Sequence, residues 1–381
     1  MREGKGEMRL LAAIMLLSLC TRSWAQGGVA GFVRRLGALV DTMSVSGLDR
    51  RYIGAPARPW QVIAKGSVNQ GSLSMTAVGS VAGFDYKARP HLRTEPSEYV
   101  GLWAGYRGYG LGYTVNVGGD KGRLITLGAT GGAYGVNVRI HTFENNTPNF
   151  DIDSDLIPED DKDEWRETQL ADPIKVRTVF ADAYYLFNGR RFSYAAAYDQ
   201  SVLQLRSAGS LVAGAAYYYG RIGYAAHSNA DLIYLMHGLG RVRMWQAALG
   251  VGYAYNWVPA KGLLVSAMAM PMVTFVNRLK AYGYATNVDE LMADPNFLDD
   301  DISDADWDRW WYSSLRIAPA GAKTFNSVVT LNLDARLSVT YNFGRYFAGA
   351  YGQFNNMRYR HLSSHGHLSE WFVNAAVGVR L

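Results

Sequence analysis

The sequence predicts an all-β chain closed into a transmembrane antiparallel β-barrel, and three observations predict it. Long segments alternate apolar and polar residues with a period of two. Aromatic residues gather at the ends of those segments. The composition is aromatic and glycine-rich yet poor in charge: Phe, Trp and Tyr make up 13% of 381 residues, Gly numbers 41 and charged residues are 19%, against roughly a quarter in soluble domains. Strands with lipid on one side and water on the other call for that combination.

The alternation is plainest from Val329, where Val329, Leu331, Leu333, Ala335, Leu337, Val339 and Tyr341 face one way and Thr330, Asn332, Asp334, Arg336, Ser338, Thr340 and Asn342 the other. Side chains on a strand point to alternate faces, so one face is apolar and the other polar and charged. The division recurs in Trp371/Val373/Ala375/Val377/Val379/Leu381 against Asn374 and Arg380, and in Trp60/Val62/Ala64 against Gln61 and Lys65. A further run is Trp245 to Trp257 in odd steps, and Tyr134/Val136/Val138/Ile140 leaves Arg139 on its polar side. A soluble sandwich alternates too. Several segments here, however, exceed the usual length of about 5–6 residues and reach the roughly 9–11 that a membrane crossing needs. Trp60, Tyr255, Trp257, Tyr341 and Trp371 sit at segment ends, where an interfacial aromatic girdle belongs.

Fourteen candidate strands follow: 58–69, 72–86, 98–106, 109–117, 123–131, 133–143, 174–188, 191–205, 208–225, 241–257, 262–279, 324–343, 345–360 and 368–381. Turns are signalled at Asn188-Gly189-Arg190, Pro259-Ala260-Lys261-Gly262 and Asn342-Phe343-Gly344, and long polar loops at 144–173, 226–240 and 281–322. Bacterial barrels keep short turns on the periplasmic side and long loops outside. Counting back from a periplasmic C-terminus, 191–205 and 208–225 would then both run outward, so one strand too many or too few is assigned there. Even strand numbers favour about twelve, within 10–14.

Residues 1–25 read as a signal peptide: Arg2, Lys5 and Arg9 precede the apolar Leu10–Leu19, and Ser23-Trp24-Ala25 offers a cleavage site before Gln26. Cys20, the one cysteine, lies inside that segment, so the mature chain forms no disulfide. Leu17-Ser18-Leu19-Cys20 is loosely lipobox-like, but bulky Leu19 stands where a small residue belongs. Residues 26–57 lack alternation and read as a periplasmic leader or a plug, with a short helix over Val29–Leu39; residues 58–381 are the barrel. The expected location is the outer membrane.

The segment Ala183-Tyr184-Tyr185-Leu186-Phe187-Asn188-Gly189-Arg190-Arg191-Phe192-Ser193-Tyr194-Ala195-Ala196, followed by Gln204-Leu205-Arg206-Ser207-Ala208-Gly209-Ser210, resembles a pattern found in an uncharacterised group of Bacteroidota outer-membrane barrels, filed as a domain of unknown function. Gly250-Val251-Gly252-Tyr253-Ala254-Tyr255-Asn256-Trp257 is similar to the same group. The resemblance spans about 40 to 381. It implies location and fold, and no functional residue.

Charge is segregated. The chain is net +5, yet residues 144–164 and 289–308 each hold nine acids, together eighteen of thirty-three. The remainder carries 37 bases and 15 acids. Arg or Lys facing lipid near midplane costs about 2–4 kcal/mol, so wall bases point into the lumen or sit at the rims. The expected lumen residues are Lys65, Arg139, Asn332, Asp334, Arg336, Asn374 and Arg380. Two interiors remain open: a basic, anion-favouring lumen of a small channel or solute-binding barrel, or a closed structural or adhesive barrel whose bases pair with wall acids. In the second, acidic Trp-rich external loops (Trp307, Trp310, Trp311) contact surface glycan or a partner protein.

Chemistry is sparsely signalled. Asp151-Ile152-Asp153-Ser154-Asp155 opens like an EF-hand, but Leu156 replaces the required Gly and Lys162 the bidentate Glu. Asp299, Asp300, Asp301 and Asp304 are weak cation candidates. His361, His365 and His367 with Ser363 and Ser364 form a polar hairpin rather than a catalytic constellation. No enzyme, cofactor or nucleic-acid partner is expected. The expected partners are outer-membrane lipid, lipopolysaccharide and, through the C-terminal strand, the barrel-assembly machinery.

Overall fold

The computed structural model describes residues 47–81, 84–88, 91–93, 95–119, 121–146, 149–151, 170, 172–225, 239–287, 290–291, 293–294, 303–361 and 364–381. The expected signal peptide and the helix over Val29–Leu39 lie outside these residues. Leu48–Leu381 form one compact unit.

Twelve antiparallel strands close into a ring. They are β1 (Trp60–Val81), β2 (Ser97–Tyr106), β3 (Tyr109–Gly118), β4 (Lys121–Thr130), β5 (Tyr134–Asn145) and β6 (Ile174–Leu186). The second half comprises β7 (Ala208–Gly223), β8 (Leu239–Ala260), β9 (Leu263–Thr286), β10 (Thr330–Phe343), β11 (Tyr346–His361) and β12 (Ser364–Arg380). Each strand pairs with its chain neighbour, and β12 pairs back onto β1 from Gln61↔Arg380 to Thr76↔His365. Closure satisfies every edge, which a sheet in hydrocarbon requires.

Two corrections take the fourteen candidates to twelve. Segments 58–69 and 72–86 share one strand, β1, of 22 residues. Gln70 and Gly71, left between the two candidates, lie within this strand, and Gln70 is a buried polar residue. Segment 191–205 is not a wall strand at all; it folds into the helix α1 (Tyr194–Tyr198) and the short strand Leu203–Gln204. The topological conflict disappears with it. In addition, segment 324–343 divides: Ile317–Asn326 pairs with the far half of β9 and β10 with its near half.

The barrel is polar inside and apolar outside. Asn256, Ser266, Thr274, Ser338 and Thr340 are almost wholly buried, whereas Leu102, Leu249, Val251, Leu337 and Val377 are exposed. No helix among the described residues is long and apolar enough to cross a membrane; the crossing belongs to the strands. One end has two-residue turns. Arg107 and Gly108 both take positive φ (48° and 90°) between β2 and β3, the mirror-image turn that matches strand twist. Gly262 (φ 85°) turns β8 into β9, and an added Cβ there would lie 2.4 Å from the Asn342 carbonyl oxygen. The opposite end carries the long connections, including α2 (Asp304–Ser314), capped by Ser303, whose side chain accepts from the Asp306 amide.

Candidate functional site: a plugged lumen

The connection from β6 to β7, residues 187–207, leaves the short-turn end, and its middle, residues 192–204, packs inside the barrel. Its local logic is legible. Ser193 caps α1 by accepting from the Ala196 amide at 3.2 Å, a preferred helix start. The run Ala195-Ala196-Ala197 follows, with the best intrinsic helix propensity of any residue type. All three alanines are buried, as are Phe192 and Tyr194. The residues just before the barrel join them: the short strand Ile53–Gly54 pairs with Leu203–Gln204, and Ile53 packs with α1, Val202 and Leu264. Leu48 and Tyr52 pack against the same cluster.

Polar residues of the wall hold this plug by its backbone. Asn256 donates to the Ser193 carbonyl (2.8 Å) and to Gln204 Oε1 (3.0 Å). Gln61 donates to the Asp199 carbonyl (2.8 Å). Arg380 donates to the Gln200 carbonyl (2.8 Å) and Asn342 Oδ1 (2.6 Å). Gln200 itself has φ 58°, a left-handed conformation that the surrounding bonds must maintain. Outside, Asp49 bonds Arg51 bidentately (3.1 and 2.9 Å) and approaches Arg191 at 3.6 Å. The Arg51 hydrogen bonds hold its carboxyl down at about 2.

Above the plug the lumen is filled by side chains. Arg336 lies 2.6 Å from Asp334 and 3.1 Å from Asp182, and also donates to the Tyr194 hydroxyl. Gln353 donates to Asp334 at 3.1 Å, and Asn137 to Asp182 at 3.0 Å. Arg139 is stacked between Phe180 (4.9 Å) and Phe372 (4.3 Å). Lys65 lies 5.4 Å over the Trp103 ring. Cavities of about 80 and 40 Å³ remain, both bordered by Lys65 and Arg139; they have room for a few waters.

The expected lumen residues occupy distinct surroundings. Lys65, Arg139, Asp334, Arg336 and Asn374 come together around these cavities, and Arg380 holds the plug. Asn332 stands apart, bonded to Thr274 (2.9 Å) and to the Arg358 amide (3.2 Å). The loop tryptophans turn toward one another: Trp307 stacks on Trp311 (5.5 Å between centroids, 8° between planes), and Trp311 is buried with Leu291. Asp299, Asp300, Asp301 and Ser363 lie outside the described residues. At the far end of the β11–β12 hairpin His361 is in register with Ser364 and Arg360 with His365. No group of three acids or histidines able to hold a metal occurs among the described residues. Sequence reasoning missed Asn256, Gln200 and Gln204. The Ser193 cap and alanine run were available signals for α1, but the partners of its backbone were not.

A family profile described as Domain of unknown function (DUF4421) matches residues 73–380. Among curated proteins none matches the sequence. Solved structures similar to the fold include the outer membrane protease OmpT from Escherichia coli (7% identity, 85% of this chain and 97% of that one, TM-score 0.36). Others are OprG from Pseudomonas aeruginosa (11%, 86% and 97%, 0.26) and the toluene transporter TodX from Pseudomonas putida (7%, 89% and 98%, 0.25). At such identities and scores the likeness carries no functional argument.

Proposed function

The chain belongs to the DUF4421 family, and from that premise we propose that it is an outer-membrane barrel that rests closed, a membrane-anchored platform rather than an open pore. The single observation that carries this reading is the plug: residues 192–204 enter the lumen and are bonded to the wall by Asn256, Gln61 and Arg380. The inner bases support it. Arg336 is neutralised by two carboxylates, and Arg139 and Lys65 rest against aromatic faces. A lumen with its cations already engaged offers little field to a passing anion. Contacts with the surroundings then fall to the end bearing the long connections, where α2 leaves Tyr312 exposed.

Planar-bilayer recording tests it. The intact protein should give no steady conductance, and a variant with residues 189–206 replaced by a short glycine-serine turn should give stepwise openings. Anion-selective conductance from the intact protein would overturn the closed reading and favour the channel instead.

A further inference from the structure

The outer face of the barrel carries a second charged feature that the plugged lumen does not explain. Toward the end with the long connections, Arg123 of β4 is in register with Thr142 of β5, Thr142 with Arg177 of β6, Arg177 with Arg221 of β7, Arg221 with Arg243 of β8, and Arg243 with Lys280 of β9. Five of the six positions on this rung are basic. The next row outward adds Lys121, Lys175 and Arg241, with Glu144 in register between Lys121 and Lys175. Strands lie about 4.8 Å apart, so both rows form one patch roughly 24 Å wide.

Alternation fixes the face. Two residues toward the membrane from the rung come Ile125, Ile140, Val179, Tyr219 and Trp245, and beyond them the lipid-facing Leu127, Val138 and Tyr217. Tyr219 and Trp245 rings are 5.8 Å apart, in the position of an interfacial aromatic belt. The basic rung therefore sits at headgroup height.

Like charges directly across a strand pair destabilise a sheet, and here Arg177, Arg221 and Arg243 occupy three adjacent strands. Among the described residues, Glu144 meets Lys175 at 3.8 Å, and Asp172 also borders the patch. Tyr282 gathers Arg241 (3.9 Å to its centroid), Lys280 (5.1 Å) and Arg243 (5.3 Å), and the Nε atoms of Arg241 and Arg243 are buried without a hydrogen-bond acceptor. An open groove of about 1180 Å³ runs along the patch, bordered by Arg123, Arg177, Arg221, Arg241 and Tyr282.

We propose that this rung docks the phosphate-bearing headgroup of the outer-leaflet glycolipid, lipopolysaccharide. The proposal rests on the outer-membrane reading. Arginine forks match phosphate oxygens bidentately, the rows supply them at headgroup depth, and the aromatic row beneath marks where acyl chains begin.

Native mass spectrometry of the full chain in detergent, titrated with lipopolysaccharide or its dephosphorylated form, tests it against Arg177→Gln/Arg221→Gln/Arg243→Gln. Lys261→Gln/Arg345→Gln, at the opposite end, is the control. The triple variant should bind lipopolysaccharide at least tenfold more weakly, the control like wild type, and dephosphorylated lipid weakly to all three. In lipid-free detergent the triple variant should unfold no earlier than wild type, since repulsion has been removed. Equal binding by the triple variant, equal affinity for dephosphorylated lipid, displacement by millimolar inorganic phosphate, or a less stable triple variant would each overturn the assignment. Membrane fractionation reports separately on location, so a failed location and a failed rung are distinguishable.

Discussion

Asn256 of β8 donates its side-chain amide to the carbonyl of Ser193, 2.8 Å away, and so ties the barrel wall to the first turn of the plug. The same amide reaches Gln204, and Asn256 is fully buried. Asn256→Leu takes a buried donor from the Ser193 carbonyl and from Gln204 Oε1, which keeps only the Ser193 amide at 3.0 Å, at a cost of about 1–3 kcal/mol. The expected outcome is a lower denaturation midpoint in detergent, together with brief current spikes in bilayers. An unchanged midpoint with silent bilayers would mean that the tether is dispensable.

The charge cluster around Arg336 predicts a non-additive series. Arg336→Met strands Asp182 and Asp334 in the interior, and removing one partner of a buried ion pair costs about 3–5 kcal/mol. Adding Asp182→Asn and Asp334→Asn removes the stranded charges and should recover much of the loss. Urea unfolding of the single and triple variants checks this; a triple variant worse than the single one would contradict it.

The indole of Trp103 lies against the inner wall on a floor of glycine. A Cβ built on Gly110 would come within 2.1 Å of that ring, and one on Gly105 within 2.0 Å. Gly110→Val should displace Trp103 from Lys65 and cost about 1–3 kcal/mol through overpacking. Near-ultraviolet circular dichroism and tryptophan emission would register the shift; unaltered spectra would refute it.

Asp49 predicts an acid-sensitive contact at the plugged rim. Its carboxyl is lowered from 3.8 to about 2, chiefly by the Arg51 side-chain hydrogen bond. A depressed folded value means that the stabilisation is complete above the ordinary value and lost as pH falls through the folded one. The window is about pH 4 to 2. Carboxyl NMR titration of the protein in micelles should find the Asp49 midpoint near the lower end; a midpoint near 3.8 would show the contact absent.

The walls were legible in the sequence because a lipid-facing strand writes its environment into every second residue, as in Val329 to Tyr341. The plug was not, for the opposite reason. Residues 192–204 pack between the wall and residues 48–54, and Phe192, Ala195 and Val202 are all buried and apolar without any face to alternate against. Their short alternating stretches imitate a strand, and only the impossible direction of two successive strands betrayed them. The polar faces of the strands were legible, but the partners of those side chains were hidden: Arg336 meets Asp182 across nearly half of the barrel's sequence. The outer rung was equally invisible, since Arg177, Arg221 and Arg243 become neighbours only once register is known.

The seam between β1 and β12 also sets an order of events. Every other strand of the ring lies between those two in the chain, so the cylinder stays an open ribbon until all of them are laid down. By then residues 187–207 are already held between adjacent strands β6 and β7. The stopper is therefore built along with the bottle, and tethered at both ends it can swing but never leave.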